Sequence, residues 1–203
     1  MNSKTSICNL ALAYLGQAPI SSLSQDNQMA RWLSLFYEPV REEVLRTHNW
    51  AFATAEKPLV QVPSALQGGG QNNPKSFPNG SYVYKYPADA LFIQGVYDPQ
   101  HPHCPQPFSQ RLEESQRVIL TPVPQARVRY TRRVTDETQY DPAFVKCLAL
   151  ALASDTALAL TGDVDLAARL QQKYTLFVEE ARQNNMAEGL SWAPQHDAFS
   201  EVR

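Results

Sequence analysis

The chain has 203 residues, a formal net charge of −2 and 43% hydrophobic residues. That length can bury a sizeable core without staples, and the near-neutral charge argues against a surface built wholly for nucleic acid or membrane lipid. Three cysteines, Cys8, Cys104 and Cys147, are too few for a disulfide framework, which points to synthesis in a reducing compartment.

At the N-terminus an apolar run ends in Gly16. Its pattern is amphipathic, so it reads as a mature helix and not as a leader, and cytosolic production is expected. Ile7, Leu10, Ala11, Tyr14 and Leu15 recur at helical spacing and predict a first helix over 4–15, with Ser3 as its cap and Gly16 as its stop. A second helix is expected over 26–46. Met29, Trp32, Leu33, Phe36, Val40 and Val44 line one face, and Arg31, Glu38, Arg41 and Glu42 lie opposite. Pro39 falls inside that pattern and should kink or split the helix, because its ring removes one backbone bond.

At His48-Asn-Trp-Ala-Phe the period changes, and Trp50 and Phe52 suggest a strand. Residues 61–80, with three consecutive glycines, read as a long exposed loop. Tyr82, Tyr84 and Tyr86 alternate as one strand, and Leu91–Tyr97 forms another. Residues 98–110 are punctuated by prolines and read as loop. Two further strands follow, at Val118–Leu120 and Arg127–Thr131.

The stretch 141–160 is the most apolar of the chain. Asp141 suits a helix N-cap, Pro142 the first helical position, and Gly162 the stop. Lys146, Ser154 and Asp155 interrupt the stretch, so a core helix is expected and not a membrane span. A fourth helix, about 163–187, presents Leu166, Leu170, Tyr174, Phe177, Val178 and Ala181 on one face. The expected architecture is α+β and mainly α. Residues 1–49 and 136–188 would form one antiparallel helical bundle, 50–135 a small antiparallel β lobe inserted between helices two and three, and 189–203 a flexible tail.

Candidate chemistry is sparse. His101-Pro-His-Cys104 is a cluster of metal-type residues in one loop, but zinc normally takes two separated pairs, and no second pair is visible. Asp155 within an apolar helix would need a partner if buried, and it is the candidate base for an enzymatic reading. A hydrolase using Asp155 or the His101–Cys104 loop is therefore one alternative. A prophage-encoded binding module is another. No nucleophile motif or phosphate loop is present, so no catalytic residue, cofactor or metal is expected. Arg127 and Arg129 share one strand face, with Arg132 and Arg133 close behind. They read either as a solvated face or as a basic strip that meets a neighbouring subunit or DNA phosphates. Trp192 and Phe199 in a polar terminus suggest a segment that orders on a partner.

The stretches ICNLALAYLGQAPISSLSQDN, VREEVLRTHNWAFA, YKYPADALFIQGVYD and the run from VRYTRRVTDETQYDPAF through the alanine-rich helix follow one another in an order that resembles the tail tubular protein A family, the head-to-tail adaptors of short-tailed phages. The resemblance covers most of the chain. It implies a non-enzymatic virion protein of the tail connector, made in the host cytoplasm. Such a protein would bind the portal protein, extend the channel through which packaged DNA passes, and carry the tail nozzle protein. It also implies a ring of about twelve copies; docking of the aromatic tail on the portal, with Trp192 and Phe199 as portal-binding candidates, would leave the chain monomeric until the portal templates that ring.

Overall fold

A computed structural model describes residues 2–62, 82–113 and 115–190, with side chains through residue 183. In chain order the elements are α1 (Lys4–Tyr14), α2 (Gln28–Thr47), β1 (Thr54–Pro58), β2 (Tyr82–Lys85), β3 (Ala90–Asp98), β4 (His101–Gln106), β5 (Ser109–Glu113), β6 (Gln116–Thr121), β7 (Arg127–Arg132), α3 (Pro142–Thr161) and α4 (Val164–Leu190). The chain divides into two compact units, Met1–Val40 with Asp141–Arg203, and Arg41–Tyr140.

This overturns the expected helical bundle with a small β lobe. The middle of the chain holds seven antiparallel strands in two sheets, ordered β1-β7-β3-β4 and β2-β6-β5. It is a unit in its own right, and the last turns of α2 belong to it. Two strands escape a reading by pattern because neither carries an alternation of apolar and polar residues. β4, HPHCPQ, is exposed along almost its whole length, and β5, SQRLE, has a single large aliphatic residue. Backbone pairing to a neighbour makes them strands: Gln106 lies opposite Val96, and Leu112 opposite Arg117. The segment read as a strand at Trp50–Phe52 is instead a 3-10 turn, Ala51–Ala53, with β1 starting after it.

The β unit has its own core. Ile93 and Val96 of β3 with Val128 and Tyr130 of β7 come from one sheet; Tyr84 of β2 and Ile119 of β6 come from the other. Tyr84 donates its hydroxyl hydrogen to the Val123 carbonyl at 2.8 Å and accepts from the Ala126 N–H at 3.4 Å. Val83, Val118 and Leu120 point to the opposite face and cluster with Val62. Both faces of this smaller sheet are thus covered, which is why Val118-Ile-Leu120 reads as an unbroken apolar run.

In the helical unit α3 packs on α1 and on α4. Asp141 accepts from the Ala143 N–H, Pro142 opens the first turn, and Gly162 closes the helix at φ 70°. The left-handed conformation there is one that a side chain with a Cβ resists. Phe144, Cys147, Leu148 and the run Ala149–Ala153 are buried, so α3 is enclosed around most of its circumference. α1 is capped as expected: Ser3 and Ser6 exchange side-chain and backbone bonds in a capping box. Its buried line is Ile7, Cys8, Ala11 and Leu12, while Leu10 faces outward.

α2 is one continuous helix with Pro39 inside it, neither split nor interrupted. The boundary between the two units falls immediately after it, at Val40. Arg41, placed by the sequence on the polar face, is buried. It lies four residues after buried Tyr37 and four before buried Leu45, on the same line of the helix.

Candidate functional site

The four arginines of the expected basic strip are on β7 and just after it. β7 alternates as read: Val128 and Tyr130 are buried, Arg127 is exposed and Arg129 half-buried. They do not form a uniform free cationic face. Arg129 pairs with Glu56, which lies opposite it on β1, and its guanidinium stands 5.0 Å from the Tyr97 ring. Arg132 donates to Gln139 Oε1 at 2.8 Å and to the Phe52 carbonyl at 3.3 Å. Arg133 pairs with Glu42 at 2.6 Å. Among the described residues, only Arg127 of the four has neither an ion pair nor a side-chain hydrogen bond.

The turn between β2 and β3 carries a polar clamp that the sequence reading missed. Asp89 accepts from Lys57 Nζ of β1 at 2.8 Å and from the Tyr130 hydroxyl of β7 at 2.9 Å. Its backbone carbonyl accepts from the Arg133 N–H at 2.7 Å. Lys57 also lies 4.9 Å from the centre of the Tyr130 ring. Partial burial works to raise the Asp89 carboxyl, but the hydrogen bonds from Lys57 and Tyr130 outweigh it and hold the group below the usual carboxylate range. Burial raises the Tyr130 phenol. An ionised carboxylate and a firmly neutral phenol have no proton to exchange near neutral pH, so the trio joins strands and does not suit acid–base work. The only sequence signal was an acid in a Pro-Ala-Asp turn, and its two side-chain partners lie 32 and 41 residues away.

Next to this clamp is a groove of about 410 Å³ lined by Lys85, Tyr86, Pro87, Ala88, Ala90, Gln116, Arg117 and Arg133. The Arg117 guanidinium sits 5.3 Å from the Tyr86 ring. Lys85 and Arg117 are exposed and have no acidic partner among the described residues. The sequence separates these two cations by 32 positions; the pairing of β2 with β6 brings them together.

The other candidates lie elsewhere. Asp155 is exposed on α3, so the reason for reading it as a buried base falls away. His101, His103 and Cys104 are exposed on the edge strand β4, where Pro102 and Pro105 remove two backbone donors from the sheet margin. His101 meets Asp98 at 3.3 Å, and no group of three or more metal-type side chains gathers among the described residues. Cys8 and Cys147 are buried, and burial pushes both thiols up to about 12. Trp192 and Phe199, like most of the Gly/Asn/Pro loop, lie outside the described residues. No protein-family model matches the sequence, and no curated protein is significantly similar to it.

Proposed function

We propose that this chain is a structural virion protein, the head-to-tail adaptor of a short-tailed phage, which binds the portal ring, extends the DNA channel and carries the tail nozzle. One observation carries the reading. The segments that resemble the adaptor family coincide with the joints at which this chain changes element. In HNWAFA, Trp50 Nε1 donates to the Val44 carbonyl and closes the end of α2. In YPADA, Asp89 ties the turn after β2 to β1 and β7. In YDPAF, Asp141 caps α3. Three separate joints, each built on the quoted residues, support a shared design better than any one motif does.

The reading gives three of the four arginines on and just after β7 a mainly internal task. Arg129, Arg132 and Arg133 hold Glu56, Gln139 and Glu42, which leaves Arg127 as the arginine of the strip best suited to meet DNA or a neighbouring subunit. The test is to mix the purified chain with portal rings from a short-tailed phage and follow the product by light scattering and electron microscopy. The expected result is a monomer alone and a closed ring of this chain on the portal. A chain that ignores every portal ring offered, or that turns over an ester or phosphodiester substrate, overturns the proposal.

A further inference from the structure

We infer that the groove lined by Tyr86, Pro87, Ala88 and Ala90 together with Lys85 and Arg117 receives the α3–α4 corner of a second copy of this chain. The inference rests on the assembly reading above and names the contact that would build the assembly. Pro87, Ala88 and Ala90 give the groove a small apolar part beside the Tyr86 ring, which admits short aliphatic side chains. Its charged lining is cationic: Lys85 and Arg117 meet no acid among the described residues, and Arg133 is held by Glu42. The fitting occupant is an aliphatic tip with carboxylates beside it.

The chain carries such a tip. α3 ends at Gly162, Asp163 caps α4 by accepting from the Leu166 N–H, and Val164 begins the helix. Val164 is 66% exposed and Leu158 58% exposed, and Asp163 and Asp165 flank Val164 in solvent. Leu158 and Val164 thus put two large aliphatic side chains in water near the α3–α4 turn, with carboxylates beside Val164, an apolar and acidic surface opposite in charge to the groove. Two other exposed aliphatics have cations close by: Leu112 stands between Arg111 and Glu113, which pair with each other, and Leu176 is one turn from Lys173. Opposite charges around matched apolar surfaces fix register and favour encounter. Because groove and corner are different surfaces, the contact is head-to-tail, and copies joined this way close into a ring when the rotation per copy allows.

Cross-linking tests this in a Cys104→Ser background, which removes the exposed thiol. One sample carries Ala88→Cys in the groove and the other Val164→Cys at the corner. Mixed at high concentration and oxidised, which traps a contact too weak to hold the free chain above a monomer, they should give a disulfide-linked dimer that neither forms alone. Adding Lys85→Glu and Arg117→Glu to the groove copy should cut the yield about tenfold or more, since like charges then face each other. Asp165→Lys in the corner copy should restore much of it. Unchanged circular dichroism keeps the comparison fair. A mixture that links no better than its parts, or a yield indifferent to charge reversal, overturns the contact. The adaptor reading stands apart: rings on a portal without the 88–164 link lose only the contact, and the link without portal binding loses only the adaptor.

Discussion

Helix α3 and the strand pair β3–β7 both lie at the centre of a core, but they hold their places differently. α3 is enclosed by Phe144, Cys147, Leu148 and the run Ala149–Ala153, and its one fully buried polar side chain, Thr156, bonds its own helix at the Leu152 carbonyl. The strand pair adds polar ties between distant parts of the chain. Asp89, just before β3, reaches Lys57 and Tyr130, and Gln94 reaches Thr54 and Thr131; beside the pair, Tyr84 of β2 reaches Val123 and Ala126. A helix satisfies its backbone within itself, so its packing needs only shape and oil. Strands satisfy theirs on partners far along the chain, and buried polar side chains pin which partner and which register.

That contrast can be broken at its strongest point first. Leu150 is wholly buried in α3. Leu150→Ala should cost about 2–5 kcal/mol by the lost burial and the cavity left behind. Urea unfolding reads it, and Leu112→Ala, at a side chain 68% exposed, serves as the silent control. Next comes the β core. Tyr84→Phe keeps the ring but strands the Val123 carbonyl and the Ala126 N–H, at about 1–3 kcal/mol by the same measurement. A loss near zero there would mean that shape alone holds the sheets together.

The clamp sharpens the comparison through pH. Asp89→Asn should cost no more than about 1 kcal/mol, because Lys57 and Asp89 are 41% and 47% exposed and solvent screens them. Asp89 titrates below its ordinary 3.8 in the fold, so its contribution is complete above that pH and fades as pH falls through the lower folded value. Lys57 is held above 10.5, so its share is complete below that pH and is lost as pH rises through the higher folded value. The gap between wild type and Asp89→Asn should therefore close in acid. A gap that persists at low pH would show that the bond to Tyr130, and not charge, is what matters. The smallest effect is chemical: in the folded protein a thiol reagent at neutral pH should label Cys104 alone, since burial pushes Cys8 and Cys147 up to about 12. Denaturant should release the other two.

By itself the sequence determined the four helices, the caps of α1 and α3 and part of the buried lines, because a helix is written in neighbours three and four residues apart. Ser3, Asp141, Pro142 and Gly162 do what their types predict. It also marked the strands that alternate, such as β7, and placed Val128 and Tyr130 opposite Arg127 and Arg129. Only the tertiary structure decided that the middle of the chain is a two-sheet unit with its own core, since β4 and β5 are strands by pairing and not by pattern. It alone decided that Asp89 bridges two strands, that Asp155 faces water, and that Lys85 and Arg117 share a groove. The Asp89 ties and the Lys85–Arg117 groove join residues more than thirty positions apart, and Asp155 depends on which side of α3 is covered; β4 and β5 pair with hairpin neighbours close by in the chain, but no apolar pattern in them announces it.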